Sequence, residues 1–455
     1  MKFMALLYLT ILAASSVASA RAAVGGTPDR IKAEIQRIAQ RARVPGLAIA
    51  KVERGQLRWH EAYGQRAPGE PLTLDTTFNV ASLTKPVFAA AALQLVAGRK
   101  LALDEKLVAY WSEPDLAGDA RQGLLTPRLL LSHQSGLPNW RGDRPLAFLF
   151  DPGERQEYSG EGFEYLRRAI EQKTGTMLPS LLAEEVLGPA GMRHTTAGWA
   201  DSIGANVAQG FDEAGKPIDI RLTTRRPGAA ANLMTTIDDY ARFLAWVSRG
   251  AGLPKPLFAE MRRSQALQVD PGELFGLGWK LVPQRHTTAL LHDGREPGIR
   301  TWALVKPAAG EALVIFTNSS NGELVFRPLA KAALEDGYSV LTSIDRLAWR
   351  YLQHLPPPAL TPMSRGIARS PSFLSTLLHS VDTVLIQPSG LPKDQKALAV
   401  ARVDEYVFAR LEGKVDAARA EKLVARLLLQ DGAGLRLRSA FDAAEARDWV
   451  EALAP

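Results

Sequence analysis

Phe78-Asn79-Val80-Ala81-Ser82-Leu83-Thr84-Lys85-Pro86-Val87 is the stretch on which the reading of this chain turns. An apolar run rich in Ala and Leu, Phe88 to Val96, follows it and predicts a buried helix. Ser82 then falls in the first turn of that helix and Lys85 one turn further on. Residues three apart share a helix face, so the hydroxyl and the amine can touch. Pro86 is compatible with the helix, because the first turn leaves N–H groups unpaired in any case. A serine hydroxyl is a weak nucleophile until a neighbouring base takes its proton. A lysine serves as that base only where burial and nearby positive charge hold it partly neutral. The helix N-terminus adds partial positive charge, which favours an oxyanion developing there. Alone, Ser-x-x-Lys is a weak signal, since about one is expected by chance in a chain of this length. The surrounding sequence has to decide.

The chain has 455 residues, enough for the cores of two or three domains. It contains no cysteine, which excludes disulfides, thiolate metal sites, a cysteine nucleophile and a lipid-anchored N-terminal cysteine. The formal charge of +7 is not gathered into a long basic run or a basic-aromatic stripe, so it reads as a solvated surface with no nucleic-acid partner. The seven histidines are scattered and none shows His-x-x-x-His spacing, so no metal and no cofactor is implied. Residues 1–20 read as a signal peptide. Lys2 gives a positive start, Phe3 to Ala14 an apolar core too short to span a membrane comfortably, and Ala18-Ser19-Ala20 a small-x-small cleavage site. The expectation is a periplasmic or secreted chain cleaved near Ala20 and starting at Arg21; a retained N-terminal anchor is the alternative. No later stretch is long and apolar enough for a membrane helix, so the mature chain is expected to carry no integral membrane segment.

Upstream of the serine, Thr27-Pro28-Asp29 predicts a helix start, with Thr27 as cap and Pro28 at the first helical position. Ile31, Ile35 and Ile38 repeat on one face. Gly46 to Val52 and Leu57 to Tyr63 read as a hairpin about Gly55. Downstream, Leu101 to Arg128 is loop-rich. Leu129-Leu130-Leu131 reads as a helix end that runs into the turn Ser132-His133-Gln134-Ser135-Gly136-Leu137-Pro138. His133 could be catalytic, but holding that turn is the plainer role. Tyr158 precedes Ser159-Gly160 at the start of a helix over Glu164 to Lys173, where it could face a cleft or simply pack. Thr236 caps a helix that ends at Arg249. Phe275–Leu281, Leu290–Asp293, Thr301–Val305 and Ala312–Thr317 read as an antiparallel meander, closed by a helix over Leu324 to Leu334.

Taken in order, these landmarks resemble the serine β-lactamase and penicillin-binding family, in its branch of class C β-lactamases, DD-peptidases and family VIII esterases. The likeness covers roughly residues 25–337. Ser82-Leu83-Thr84-Lys85 matches Ser-x-x-Lys, and Ser132-His133-Gln134-Ser135-Gly136-Leu137-Pro138 looks like the His-Thr-Ser-Gly-Leu-Pro turn. Tyr158-Ser159-Gly160 stands where Tyr-x-Asn is expected, and Gly188-Pro189-Ala190-Gly191-Met192 resembles the Leu-Gly-Met turn. Gly276-Leu277-Gly278-Trp279 is similar to the Gly-Leu-Gly-Trp strand. His292-Asp293-Gly294 occupies the Lys-Thr-Gly place. No single landmark is specific; their joint order is.

The resemblance implies an α+β fold: an antiparallel sheet flanked by helices, a mostly helical subdomain and, here, a C-terminal helical appendage. It implies that Ser82 is acylated by a small-molecule ester or amide, with Lys85 and Tyr158 sharing the proton transfers. It also implies an oxyanion hole from the backbone amides of Ser82 and Arg295. Lys85 and a protonated His292 are the cations that could favour a Tyr158 phenolate. Two departures stand out. Gly160 replaces the asparagine that holds a substrate amide, and His292 replaces the lysine that meets a substrate carboxylate. Both weaken the case for a β-lactam or D-Ala-D-Ala substrate and favour an exported esterase or small amidase. A β-lactamase, a D-Ala-D-Ala carboxypeptidase and a non-catalytic sensor of cell-wall fragments are the alternatives. Gly160, Gly294, Trp140 and Trp279 are candidate substrate-lining positions, with core packing the alternative for the two tryptophans.

Residues 338–363, with Pro356-Pro357-Pro358 and Pro362, read as a linker. Residues 364–455 read as a helical module. Val400, Val403, Val407 and Leu411 lie on one face, Leu423, Leu427 and Leu428 form a second pattern, and Asp442 to Leu453 a third.

Overall fold

One sheet, with a different core on each face, organises the chain. The computed structural model describes residues 24–218, 226–266, 274–431 and 434–454; the segment 1–20 lies outside them. Helix α1 (Asp29–Arg41) buries Ile31, Ile35 and Ile38. Its start differs from expectation. Pro28 is itself the cap residue, and the Thr27 hydroxyl donates instead to the His60 carbonyl, which ties the helix to the sheet. Strands β1 (Gly46–Glu53) and β2 (Gln56–Ala67) form the expected hairpin, and β3 (Glu70–Pro71) extends it.

The chain then leaves the sheet for a helical layer that includes α2 (Thr84–Ala97), α3 (Gly160–Thr174) and α4 (Ile237–Ser248). It returns as β4 (Lys280–Pro283), β5 (Thr288–Glu296), β6 (Ile299–Lys306) and β7 (Glu311–Thr317). The spatial order is β3-β2-β1-β7-β6-β5-β4, antiparallel throughout; Ala48 of β1 stands opposite Phe316 of β7.

Alternate strand residues face opposite ways, and this splits the apolar residues into two cores. Ala48, Ala50, Leu290, Ala303, Val314 and Phe316 meet the helical layer. Helix α2 is buried around most of its circumference, as befits an element at the centre of that layer. Of the expected Phe275–Leu281 strand only Lys280 and Leu281 are extended, as the start of β4. Gly278 sits at φ 83° and turns the chain; Leu277 and Trp279 sink into the helical core, and Phe275 is buried against the His133 ring.

On the other face Leu47, Ile49, Trp302, Leu304, Leu313 and Ile315 meet α1, α5 (Glu323–Ala333) and the C-terminal helices. These are α6 (Gly337–Gln353), α7 (Pro357–Arg369), α8 (Pro371–Val381), α9 (Lys393–Leu411), α10 (Ala417–Ala425) and α11 (Ala443–Ala452), with a hairpin of β8 (Leu428–Asp431) and β9 (Gly434–Leu437). Residues 338–363 are therefore not a linker. Pro356 and Pro357 occupy the cap and first helical position of α7, where proline favours a helix. Val340, Leu341, Trp349 and Leu360 carry the buried stripe through the segment.

Val403 and Val407 of α9 and Leu423 of α10 are buried in that rear core, whereas Leu428 lies past the end of α10 and opens the hairpin. Asp442 caps α11 in a capping box with Glu445. Arg327 of α5 forks onto Asp345 of α6 with two bonds of 2.7 Å, and Thr383 donates to the same carboxylate at 2.9 Å. Among the described residues no helix is long and apolar enough to cross a membrane, and no group of three or more His, Asp or Glu could hold a metal ion.

Candidate active site

Ser82 lies in a 3-10 turn, Ala81–Leu83, that leads into α2. Ala81 has φ 50°, a strained value for a residue with a side chain. The turn is held on both sides. The Ala81 amide donates to Asn79 Oδ1 at 2.9 Å, and Thr84 Oγ1 donates to the Ala81 carbonyl at 2.6 Å. The Tyr240 hydroxyl donates to the Leu83 carbonyl at 2.9 Å.

Lys85 is fully buried, with Nζ 3.2 Å from Ser82 Oγ and 2.8 Å from the Ala230 carbonyl. Burial pushes its pKa down to about 7, against the opposing pull of Glu164, Asp293 and Glu296. Glu164 and Ala230 carry no mark in the sequence that ties them to the site. Glu164 Oε1 accepts from the amides of Ala229 and Ala230 at 2.7 and 3.0 Å, and Arg167 donates to the same carboxylate at 2.7 Å. The Ala230 carbonyl is thus aimed at the lysine by a residue on α3.

Tyr158 stands two residues before the start of α3. Ser159 caps that helix, accepting from the Gly162 amide at 2.9 Å and donating to the Pro138 carbonyl at 3.0 Å. The Tyr158 ring centroid lies 4.6 Å from Lys85 Nζ and 4.4 Å from that of the His133 ring. His133 is buried, at φ 58°, and its Nδ1 accepts from the Ser159 amide at 3.1 Å. Burial, with Lys85 nearby, holds its pKa well below the usual histidine value. It is a neutral ring that positions Tyr158 and the turn.

His292, on β5, lies with its ring 6.0 Å from that of Tyr158. Nδ1 is 2.8 Å from the Asp293 carbonyl, which can only accept, so Nδ1 carries the proton and Nε2 is an acceptor. That Nε2 is buried, with no hydrogen-bond partner among the described residues. Burial lowers the His292 pKa to about 3. Of the two cations that could favour a Tyr158 phenolate, a protonated His292 does not fit this site: the ring is neutral, because a charge at this depth would lose its hydration. Burial alone would raise Asp293, but Lys280, 3.1 Å away, and Arg295 outweigh it and hold the carboxylate well below its usual range.

Gly294 brings β5 against the serine turn. A Cβ there would lie 2.5 Å from the Val80 carbonyl oxygen and 3.1 Å from the Ser82 amide nitrogen. Pairing between β4 and β5 ends at Lys280 and Leu291, so the outer edge of β5 beyond that point is open. In a ladder closed by the two-residue turn Pro297-Gly298, residues 292, 294 and 296 bond β6, and the amides of Asp293 and Arg295 face that open edge. The Arg295 side chain lies on the opposite face, 2.9 Å from Glu323 and with its guanidinium 5.8 Å from the Phe373 ring centroid.

The two tryptophans part company. Trp140 is 52% exposed, with its ring centroid 5.9 Å from Lys85 Nζ. A Cβ at Gly160 would lie 3.0 Å from that ring and 2.7 Å from the Asn139 carbonyl oxygen, so the indole takes the room an asparagine side chain would need. Trp279 is 1% exposed and stacks on Phe243 in the core. It lines no cleft, because the bend at Gly278 turns it inward.

The family model described as Beta-lactamase matches residues 31–337. A beta-lactamase of Pseudomonas fluorescens is 25% identical over 319 residues, 64% of this chain and 87% of that protein. Esterase EstB of Burkholderia gladioli is 27% identical over 288 residues, 54% of this chain and 71% of its own. Among solved structures, the D-alanine carboxypeptidase AmpC from Burkholderia cenocepacia superposes with a TM-score of 0.57 at 21% identity, covering 69% of this chain and 98% of that one. That last likeness speaks to the fold.

Proposed function

Since the chain belongs to the beta-lactamase family, with its serine-hydrolase type of fold, we propose that it is an exported serine hydrolase that forms an acyl-enzyme at Ser82 and acts on esters or small amides. The observation that carries the reading is the 3.2 Å contact between Ser82 Oγ and a buried Lys85 whose pKa is brought down to about 7. A lysine near neutrality is a competent base at physiological pH.

In this mechanism Lys85, as the free amine, takes the Ser82 proton while Oγ attacks the acyl carbon. The carbonyl electron pair moves onto oxygen, which the amides of Ser82 and Arg295 receive. Collapse restores the carbonyl and breaks the bond to the leaving group, which departs with the proton passed from Lys85 through the Tyr158 hydroxyl. Water then attacks the acyl-enzyme by the same route, and Ser82 regains its proton as the acid leaves.

Gly160 and His292 favour an ester or small amide over a β-lactam. The space beside Gly160 belongs to Trp140, so position 160 itself offers no side-chain amide to a substrate amide. His292 offers a neutral acceptor where a carboxylate-bearing substrate would need a cation. The likeness to an esterase supports the same choice. Export rests on the pattern of residues 1–20.

The test is hydrolysis of p-nitrophenyl butyrate by the protein from Arg21, wild type beside Ser82→Ala. Turnover in the wild type that is lost in the variant is the expected result. Equal turnover in both would refute Ser82 as the nucleophile. Rapid nitrocefin hydrolysis with none of the ester would favour the β-lactamase alternative.

A further inference from the structure

Strand β5 places His292, Gly294 and Glu296 on one face, because alternate residues of a strand point the same way. Gly294 gives the direction of that face, since a side chain there would run into the Ser82 amide. His292 lies at the Tyr158 end. Glu296 therefore stands on the far side of Ser82 from Tyr158. In the proposed acyl transfer the leaving group takes its proton at the Lys85–Tyr158 end, so the acyl substituent extends along β5 toward Glu296.

The Glu296 carboxylate is partly buried and makes no hydrogen bond or ion pair among the described residues. Burial raises its pKa against the influence of Lys85 and Arg300. Both of those cations are committed elsewhere: Lys85 to Ser82 Oγ and the Ala230 carbonyl, Arg300 to Glu323 at 3.2 Å and to the carbonyls of Glu296 and Ile299. A carboxylate withdrawn from water with no cation upon it is unfavourable, and an ammonium supplied by a ligand relieves that cost. The rest of the cleft matches. His292 is neutral, the Arg295 guanidinium is held on the other face of the sheet, and Trp140 offers an aromatic wall beside Lys85.

We infer that Glu296 is a specificity-determining residue that receives the ammonium group of an amino-acyl substrate, so that amino-acid esters or amides are preferred over simple alkanoyl ones. This rests on the serine-hydrolase reading and names the substrate class for that same site. The experiment compares alanine p-nitroanilide, in both enantiomers, with propionyl p-nitroanilide, which has the same carbon skeleton without the amine. Hydrolysis of p-nitrophenyl butyrate by each preparation reports whether Ser82, Lys85 and Tyr158 are assembled.

The wild type is expected to favour one alanine enantiomer over the propionyl compound by about tenfold or more in kcat/KM. Glu296→Gln is expected to collapse that ratio, chiefly through KM, and Glu296→Asp, which keeps the charge, to retain part of it. Should Glu296→Gln fold poorly, alaninamide and propionamide are compared as competitors of butyrate hydrolysis by the wild type; stronger competition by alaninamide is expected. Ester turnover with no amine preference, or a preference that survives in Glu296→Gln, overturns the inference and leaves the hydrolase standing. No turnover of any substrate together with no acyl adduct on Ser82 overturns both.

Discussion

The two faces of the central sheet are filled by different chemistry. The face toward the helical layer buries Lys85, His133 and His292 around the rings of Tyr158, Phe163 and Phe275. The rear face is closed mainly by aliphatic and aromatic side chains of α1, α5 and the C-terminal helices, and the cations it buries are paired, Lys51 with Glu311 and Arg327 with Asp345. Buried titratable groups cost stability and acquire shifted pKa values; apolar packing supplies stability and little chemistry. The front face is thus the reactive half, and the rear face is what can carry its cost.

The sharpest break in that comparison is Lys85→Met. It should lower kcat/KM for p-nitrophenyl butyrate by about 10²- to 10⁴-fold, while raising the melting temperature, since a buried amine is exchanged for a buried thioether. Loss of both activity and stability would mean the lysine is not a burden to the fold. The converse on the rear face is Trp349→Ala. It should cost about 3–5 kcal/mol in denaturant unfolding and leave kcat nearly unchanged below the transition.

Next in size is acid sensitivity. His292 has a folded pKa of about 3, below the unfolded value near 6.5. The unfolded chain therefore binds a proton that the native state refuses. The stability His292 contributes is complete above pH 6.5 and drains away as pH falls from there toward 3, by a few kcal/mol at most. His292→Gln should flatten the pH dependence of unfolding across that window; an unchanged slope would show that the ring protonates in the folded protein.

The smallest effect expected is on the lysine's tuning. Glu164 raises the Lys85 pKa, so Glu164→Gln should move the ascending limb of kcat/KM, near pH 7, to lower pH. Glu164→Ala, which also removes the acceptor of the Ala229 and Ala230 amides, should in addition cost roughly tenfold in rate, since a loose Ala230 carbonyl no longer orients the amine.

Much of this was legible in the residues, wherever the signal was local. The Ser82–Lys85 spacing, the isoleucine stripe of α1 and the strands of the meander all depend on neighbours a few positions apart. Where expectation failed, a tertiary term decided. Phe275-Gly276-Leu277-Gly278-Trp279 alternates like a strand, but the positive φ at Gly278 folds it inward, and Trp279 leaves the cleft for the core. The prolines of 356–362 read as a linker because proline marks both loops and helix starts, and only the buried stripe of Val340, Trp349 and Leu360 separates the two. The charge on His292 stayed open in the sequence because a residue's depth is not written in its neighbours. Glu164 and Ala230 were missed because 66 positions separate them in the chain.

The rear core has one more consequence. The family match stops at residue 337, yet the apolar cluster that begins with Trp302, Leu304 and Ile315 of the sheet and continues through α1 and α5 runs on beyond that point into Trp349, Leu378 and Val407. The length by which kinship is recognised and the length that melts as one body are therefore different. A chain cut at the kinship boundary would keep α1 and α5 on the sheet but bare the greasy outer side of that layer to solvent, and would be expected to clump with every landmark of its chemistry still in place.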